Sequence, residues 1–351
     1  GDLTSVVNAN GAVVGAYTYD AFDRVATFTD SEGRTVSYAY DAADRVTRIT
    51  YPDSTTDSYV YDKLDLLSHK DRQGRTWTYA YDANRRLITS TNPLGQQTRY
   101  AYSPTGRLAR LTDPGGNVTS WAYDLQSRLT TKTFADGRTL AYAYEATTSR
   151  LKSVTDSLGQ TRTFAYARDN RLTSVSYSNA RNPTPGVTLA DDAYFPRVVS
   201  MRDGVGVTNY TYGPLGSFGA MQLQQESLPL PGGGAISYAY DAIGRLSART
   251  VSGAGPETFQ YDPIGRLTGH SRDLGAFALS YLGQTSQITG RRLANSTLAT
   301  TWSYLSNSGD RRLAGISNVG LSAAQVTSYQ FTTTPENFIS AITETSDQPI
   351  P

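Results

Sequence analysis

A tyrosine recurs at intervals of about 21 residues along most of this chain, and self-similarity at such a period predicts a repeat architecture in which one short unit stacks on the next. The positions of the first eight differ by 21, 21, 20, 21, 21, 21 and 22, and the series resumes after an irregular stretch. The tyrosines of the series are Tyr19, Tyr40, Tyr61, Tyr81, Tyr102, Tyr123, Tyr144, Tyr166, Tyr212, Tyr240, Tyr261, Tyr281 and Tyr304.

Each unit is predicted to contain a β-strand with an aromatic face. A second aromatic residue usually lies two positions before the repeat tyrosine, as Tyr38 does before Tyr40, and the residue between them is small in many copies. A spacing of two places both rings on one face of a strand, and the Thr-rich surroundings favour strand over helix. Thirteen such pairs, counting Tyr329 with Phe331, are each followed by a second strand and predict an all-β protein of roughly 26 strands.

The residues after each tyrosine predict a tight hairpin turn. The first is an aspartate in most copies, placed to accept hydrogen bonds from the turn amides. The fourth is usually Gly, Asn or Asp, which tolerate the left-handed conformation of a type I turn with a G1 bulge. Arg85 and Ser127 break this rule, so we expect them to be mildly strained or to turn differently. The turn aspartates are Asp20, Asp41, Asp62, Asp82, Asp124, Asp241 and Asp262, and the left-handed candidates are Asp23, Asp44, Asp65, Gly106, Asn170, Gly216, Gly244 and Gly265.

An arginine follows the left-handed position in register with the aspartate. Repeated carboxylates of this kind could form a glycosidase pair or a Ca²⁺ array, but catalysis needs two groups with unequal pKa values, whereas a repeat supplies many equal ones. We therefore interpret the pairs as turn caps whose arginine stacks over a neighbouring ring. Arginines at this position include Arg45, Arg107, Arg245 and Arg266.

A second Gly-containing loop closes each unit, as in TDSEGRT at 29–35 and TDPGGNVT at 112–119. Each unit is then one antiparallel hairpin plus a reversing loop. Open twisted sheets rarely exceed about 10 strands without curling. A strip of this length is therefore predicted to spiral and to enclose space.

The rhythm divides the chain into three parts of one continuous repeat architecture. Residues 1–177 hold regular repeats, residues 178–236 hold irregular repeats with insertions, and residues 237–351 hold further repeats and a less regular tail. Two segments, 178–208 and 221–234, break the pattern most. They are interpreted as insertions that lie across the strip or form a seam.

The bulk composition excludes several classes of function. The formal net charge of +1 provides no electrostatic reason to expect nucleic acid as a partner, and no run of about 18 apolar residues predicts a membrane span. The chain has no cysteine, which removes disulfides and thiolate chemistry. No signal peptide opens this sequence, which we interpret as a mature or excised piece of something longer.

The repeat motif closely resembles that of the Rhs/YD-repeat family. The resemblance is clearest in YAYDAIGRLSART (238–250) and FQYDPIGRLTGH (259–270), and it covers nearly the whole chain. It implies a long β-strip that spirals into a hollow shell. In bacterial Rhs proteins and the C components of insecticidal toxin complexes such a shell encapsulates a toxic C-terminal domain. In the related teneurins it forms a cell-surface adhesion body.

The family's self-cleaving aspartyl protease follows the shell and carries an Asp-Pro-x-Gly-Leu signature. Here Asp262-Pro263-Ile264-Gly265 is followed by Arg266 and lies in the ordinary repeat frame, so we interpret it as a hairpin turn. The two histidines, His69 and His270, are interpreted as surface or strand-end residues, because a triad or metal site would need partners that the sequence does not show. We therefore expect no catalytic residues, no cofactor and no metal.

The resemblance implies a (partial) shell that sequesters a polypeptide cargo, either an attached toxin domain or a separate protein, and that contacts neighbouring shell segments. The alternative is an adhesion module that binds glycans or proteins. An enzyme is a third hypothesis, for which 178–234 is the only candidate region. We expect a secreted or exported bacterial protein, acting as an effector or at the cell surface.

Overall fold

The protein is described by a computed structural model that covers residues 2–9, 11–320 and 325–346. These residues form 31 β-strands and a single 3₁₀ turn at Asn307–Gly309. No helix among them is long and apolar enough to cross a membrane. The all-β, antiparallel prediction is confirmed.

The strands fall into two compact units. Unit 1 comprises residues 1–79 and 256–351, and unit 2 comprises residues 80–255. The N-terminal arm of unit 1 holds β1 (Ser5–Val7), β2 (Val13–Tyr19), β3 (Val25–Asp30), β4 (Thr35–Tyr40), β5 (Val46–Thr50), β6 (Thr56–Asp62), β7 (Asp65–Lys70) and β8 (Thr76–Tyr81), the last of which extends into unit 2. The C-terminal arm of unit 1 holds β24 (Glu257–Tyr261), β25 (Leu267–Arg272), β26 (Gly275–Tyr281), β27 (Ile288–Leu293), β28 (Ala299–Tyr304), β29 (Leu313–Val319), β30 (Gln325–Thr333) and β31 (Ile339–Ser346).

Unit 2 holds the remaining strands: β9 (Leu87–Thr91), β10 (Gln97–Tyr102), β11 (Leu108–Thr112), β12 (Val118–Tyr123), β13 (Leu129–Thr133), β14 (Thr139–Tyr144), β15 (Leu151–Asp156), β16 (Thr161–Tyr166), β17 (Leu172–Ser178), β18 (Val187–Asp191), β19 (Val198–Arg202), β20 (Val207–Tyr212), β21 (Leu223–Leu228), β22 (Gly234–Tyr240) and β23 (Leu246–Val251). The two units do not follow the three-part division by repeat regularity, which stays a prediction about the sequence.

Within each unit, successive strands of each arm or segment pair antiparallel. The β4–β5 pair is representative: Tyr38 faces Ile49, Ala39 faces Arg48 and Tyr40 faces Val46, so the register shifts by one residue beside the repeat tyrosine. The same shift recurs in the other regular repeats, for example between Ala122 and Tyr123. Because successive strands pair with each other, unit 2 and each arm of unit 1 are simple antiparallel meanders.

The irregular segments continue this meander. The segment 178–208 contributes β18 and β19, which pair with each other and with the strands on either side. The segment 221–234 contributes β21, which pairs with β20 and β22. The interpretation of these segments as insertions lying across the strip is therefore wrong, and the alternative that they form a seam stays a prediction. The described residues hold five strands beyond the predicted 26: β18 and β19 of this region, and β1, β26 and β27 elsewhere. Strand pairing needs only backbone groups, so it survives the loss of the Tyr-x-Tyr motif.

The sheet has very little buried interior. Among the described residues, Val36 is the only buried large hydrophobic side chain. The chain exposes 21174 Å², whereas a compact protein of 38.1 kDa exposes about 14,000 Å². Most strand residues are half-buried on both faces because a single layer of sheet has no second layer to cover it. Contacts between neighbouring repeats must therefore supply the stability that a core normally supplies.

Candidate functional site: the repeated Tyr-Asp turn

We call the residues after each repeat tyrosine, up to the next strand, the Tyr-Asp turn. In the turn of residues 41–45, the Asp41 amide donates to the Arg45 carbonyl (3.0 Å), and the Asp44 amide donates to the Asp41 carbonyl (3.2 Å). Asp41 Oδ1 also accepts from the amides of Ala43 (2.8 Å) and Arg45 (3.1 Å). This is an Asx-turn inside a type I turn with a G1 bulge.

The fourth residue of the turn adopts the left-handed conformation in most copies. Asp44 has φ 60° and Gly106 has φ 82°. Arg85 and Ser127 have φ 61° and 64°, so they follow the same geometry and do not turn differently. The other left-handed turn residues are Asp23, Asn170, Gly216, Gly244 and Gly265.

The turn after Tyr61 is an exception. Asp65 lies in β7 opposite Asp62, and Lys63 adopts the positive φ of 51°. The left-handed assignment of Asp65 is therefore wrong, and Asp62 ends a strand at an exposed position. The step from Tyr61 to the next repeat tyrosine is one residue short. Only Lys63 and Leu64 lie between the paired residues Asp62 and Asp65, whereas a regular turn comprises residues such as 41–45.

The turn arginine connects its own repeat to the next one. Arg45 Nε donates to Asp41 Oδ2 at 2.8 Å, and the guanidinium lies 4.4 Å from the centre of the Tyr61 ring in the following repeat. Both contacts hold the planar cation in one orientation, which suits arginine better than lysine. The same stacking joins Arg24 to Tyr40, Arg86 to Tyr102, Arg128 to Tyr144, Arg150 to Tyr166, Arg197 to Tyr212 and Arg266 to Tyr281.

Of the other predicted arginines, Arg245 and Arg266 bond their turn aspartate as Arg45 does, and Arg107 differs. Arg245 Nε bonds Asp241 Oδ2 at 2.6 Å, and Arg266 Nε bonds Asp262 Oδ2 at 2.7 Å. Arg107 follows Ser103 instead of an aspartate, its side chain is exposed, and its amide donates to the Ser103 hydroxyl oxygen at 3.1 Å. Arg107 therefore matches the motif in sequence without the carboxylate that holds the other arginines.

The repeat tyrosine forms a second link between repeats, which the sequence analysis missed. Tyr40 Oη donates to the carbonyl of Val25, the first residue after the preceding Tyr-Asp turn, at 2.8 Å. The acceptor carbonyl lies 15 residues before the tyrosine in most copies, so the regular period could have predicted this hydrogen bond. The same link is made by Tyr19, Tyr61, Tyr102, Tyr123, Tyr144, Tyr166, Tyr212, Tyr240, Tyr281 and Tyr304.

The turn carboxylates share one electrostatic environment. The side chain of Arg45, hydrogen-bonded to Asp41, holds the pKa of that carboxyl below its usual range. Arginine hydrogen bonds lower the pKa of Asp20 and Asp82 in the same way. Acid–base catalysis needs two groups whose pKa values are pushed apart. These carboxylates all shift in the same direction, which suits ion pairing.

The two histidines lie within the aromatic ladder of the sheet. His69 stacks between Tyr59 and Trp77, with ring centroids 4.8 and 5.5 Å apart. His270 stacks on Phe259 at 5.2 Å, and its Nε2 lies 2.7 Å from Glu257 Oε1. Both are half-buried strand residues. His69 lies one residue from the end of β7, whereas His270 lies inside β25, so the surface or strand-end interpretation is wrong for His270. Each faces an aromatic residue of the neighbouring strand, at a position that Ile49 or Leu111 occupies in other repeats.

The described part of the chain holds no group of three or more His, Cys, Asp or Glu residues that could bind a metal ion. Its recurring polar arrangement is the chain of contacts from turn aspartate to arginine, to the next tyrosine ring, and back through the hydroxyl. Such an arrangement fixes the spacing and the orientation of successive hairpins. It can build a wall of any number of repeats.

Comparisons with known proteins agree with this architecture. The model of the Teneurin YD-shell family matches residues 3–219. No curated protein matches the chain in sequence.

Several solved structures share the fold. A TcdB2-TccC3-Cdc42 structure superposes with a TM-score of 0.79 at 17% identity, and a TcdB2-TccC3 structure with 0.78 at 16%; each match covers 96% of this chain and 20% of the other. A Tc holotoxin pore from Photorhabdus luminescens superposes with a TM-score of 0.75 at 16% identity, with the same coverage. The chain thus spans about a fifth of the length of these proteins. At this identity the likeness shows the fold.

Proposed function

Because the chain belongs to the teneurin YD-shell family, we propose that it forms part of the wall of a hollow shell that encloses a polypeptide cargo. Its role is structural. The observation that carries the proposal is the single layer of sheet within each unit, in which neighbouring hairpins bond to each other and hardly any side chain of the described residues is buried. A solid globular domain of this size would have a core.

The cargo is proposed to be a toxin domain of the same parent protein or a separate polypeptide. The matched structures support this, since they include TcdB2-TccC3 without its hypervariable C-terminal region and TcdB2-TccC3-Cdc42. We also propose that the parent protein is exported. A wall without cysteine keeps the same covalent structure in reducing and oxidising compartments, which suits a protein that moves between them.

Small-angle X-ray scattering of the chain tests the wall. A compact globule of 351 residues has a radius of gyration of about 20 Å. We expect a clearly larger value and a scattering curve that fits a thin curved sheet. A radius of gyration equal to that of the compact globule, with the curve of a solid particle, would refute the proposal.

Protease protection tests the cargo. In the full-length parent protein, we expect the enclosed polypeptide to resist trypsin while the shell is intact and to be digested after the shell is opened by denaturant. A cargo digested at the same rate in both states would show that the wall encloses nothing.

A further inference from the structure

The two arms of unit 1 meet edge to edge, although residues 80–255 separate them in sequence. We call the loops that connect one repeat to the next return loops. Three return loops of the N-terminal arm (30–34, 51–55 and 71–75) lie against three turns of the C-terminal arm (282–287, 305–312 and 334–338). The contacts are polar and specific, and they fall into three groups.

The first group surrounds Glu32. Its Oε1 accepts a hydrogen bond from the Gln284 amide at 2.9 Å, and its carbonyl accepts one from Asn307 Nδ2 at 2.7 Å. A Cβ on Gly283 would overlap the Glu32 carboxylate, so the absence of a side chain there permits the approach. Asn8 Nδ2 donates to the Gln284 side chain at 2.9 Å on the same edge.

The second group is a buried network of ion pairs. Asp310 bonds Arg34 Nε at 2.5 Å and Arg72 Nη1 at 2.6 Å, and Asp53 bonds Arg72 Nη2 at 3.0 Å and Arg312 Nη1 at 2.6 Å. The side chains of Asp310, Asp53 and Arg72 are 5%, 9% and 9% exposed.

The third group extends the network along the edge. Arg311, whose side chain is 6% exposed, pairs with Asp30, and Gln73 Nε2 donates to Glu336. Each of the four arginines of this edge (34, 72, 311 and 312) forms an ion pair with Asp30, Asp53 or Asp310. Buried ions tolerate desolvation only when they are paired in this way.

These contacts coincide with departures from the repeat. After Tyr281 and Tyr304 the chain carries Leu282 and Leu305 where the regular turn has aspartate, and both turns are longer than usual. Asp310 and Arg311 both have positive φ, at 60° and 47°. An arginine rarely keeps such backbone unless the surroundings hold it.

The return loops where the arms meet also differ in sequence from return loops in unit 2. The third loop residue is Glu32, Asp53 or Gln73 where the arms meet. The corresponding residues of two loops in unit 2 are Leu94 and Leu158, which are 82% and 71% exposed. Glu32, Asp53 and Gln73 each contact the partner edge, whereas Asp136, the polar third residue of the loop 134–138, pairs with Arg138 of its own loop.

We propose that a clasp, formed by Arg34, Asp53, Arg72, Asp310, Arg311 and Arg312, holds the two arms in one edge-to-edge register. The edge of a repeat strip looks nearly the same after each repeat, so docking by backbone shape alone would permit slippage by a whole repeat. The clasp removes this degeneracy, because a shift by one repeat leaves buried charges without partners. Buried polar pairs select register in this way in coiled coils.

The chain has no cysteine, so pairs of introduced cysteines report the register directly. The native pair is Gln73→Cys with Glu336→Cys, which lies beside the clasp. The shifted pair is Leu94→Cys with Glu336→Cys, since residue 94 occupies the same loop position one repeat later. A short bis-maleimide is applied to each folded protein, and cross-links are counted by mass spectrometry. We expect the native pair to cross-link at least tenfold more than the shifted pair.

The clasp is then weakened in both backgrounds by Asp53→Asn, Asp310→Asn and Arg312→Gln. The matched control is Asp136→Asn with Arg138→Gln, which removes an exposed ion pair from a return loop outside the clasp. We expect the native cross-link to fall at least tenfold in the clasp variant, with or without a rise in the shifted one, and to stay unchanged in the control.

An unchanged ratio of native to shifted cross-links in the clasp variant would overturn the proposal. Circular dichroism confirms that the variant retains β-structure. If it does not fold, the charge reversal Asp53→Arg with Arg312→Asp replaces it. That double variant should restore the native cross-link relative to either single reversal, and failure to restore it would count equally against the clasp. The result does not depend on whether the wall encloses a cargo.

Discussion

Removing one phenol oxygen from a repeat should weaken the joint between two hairpins by a predictable amount. Tyr144 Oη donates to the Leu129 carbonyl of the preceding hairpin at 2.9 Å, while its ring stacks against Arg128. Tyr144→Phe removes the hydrogen bond and keeps the ring. A hydrogen bond of this kind contributes about 1 kcal/mol to the free energy of unfolding.

The same strand provides the matched control. Tyr142 lies two residues earlier on the same face and is half-buried like Tyr144, but its hydroxyl has no hydrogen-bond partner among the described residues. Tyr142→Phe should therefore leave the free energy of unfolding almost unchanged. The comparison separates the hydroxyl-to-carbonyl link from the general effect of replacing tyrosine.

Equilibrium urea unfolding, followed by circular dichroism, measures the difference. With a urea dependence of about 3 kcal/mol/M, Tyr144→Phe should lower the midpoint by about 0.3 M. Combining it with Tyr102→Phe and Tyr123→Phe should lower the midpoint by about 1 M, because links in separate repeats contribute almost additively. Equal shifts for Tyr142→Phe and Tyr144→Phe would refute the role assigned to the hydroxyl.

Three further outcomes follow from the turn. Arg128→Lys should lower the free energy of unfolding by about 0.5–1 kcal/mol, since lysine cannot keep both the Asp124 bond and the stack on Tyr144, whereas Arg107→Lys should change it little; equal urea midpoints for both would contradict this. Gly106→Ala should lower the free energy of unfolding by about 1 kcal/mol, measured by thermal unfolding, because the added Cβ meets no other atom and only the positive φ is unfavourable. Ser127→Gly should raise the free energy of unfolding, because Ser127 has a positive φ. The folded-state pKa of Asp41 and Asp82 lies below the unfolded value of about 3.9, so their stabilising effect is present above that value and is lost as pH falls through the folded-state pKa. The urea midpoint should thus hold from pH 7 to 5 and drop below pH 4, and a midpoint that rises on acidification would disprove the carboxylate–arginine pairing.

The local geometry of a repeat was largely readable from sequence. The Tyr-x-Tyr spacing predicted the strand, and the Asp and Gly positions predicted the turn, because strand alternation and turn dihedrals depend on residues a few positions apart. Counting turn positions from the repeat tyrosine failed where the repeat has a different length. Asp65 was assigned the left-handed position by counting from Tyr61, although that repeat is one residue short.

Other features needed strand neighbours to be known. The segments 178–208 and 221–234 lost the aromatic motif but kept their place in the sheet, since a backbone ladder accepts many sequences. His69 and His270 looked like isolated polar residues until the register placed each beside aromatic rings.

The amino-acid sequence by itself determined that this chain is a meander of hairpins with one regular period, because every signal for that structure lies within one repeat. Only the tertiary structure decided which edges meet. Asp53 and Arg312 are 259 residues apart, and Asp310 and Arg34 are 276 apart, so no local pattern pairs them. The repeat motif is nearly the same along the whole strip, so it does not specify which repeats contact each other. The irregular turns at 282–287 and 305–312 are explained by their contacts with the opposite edge.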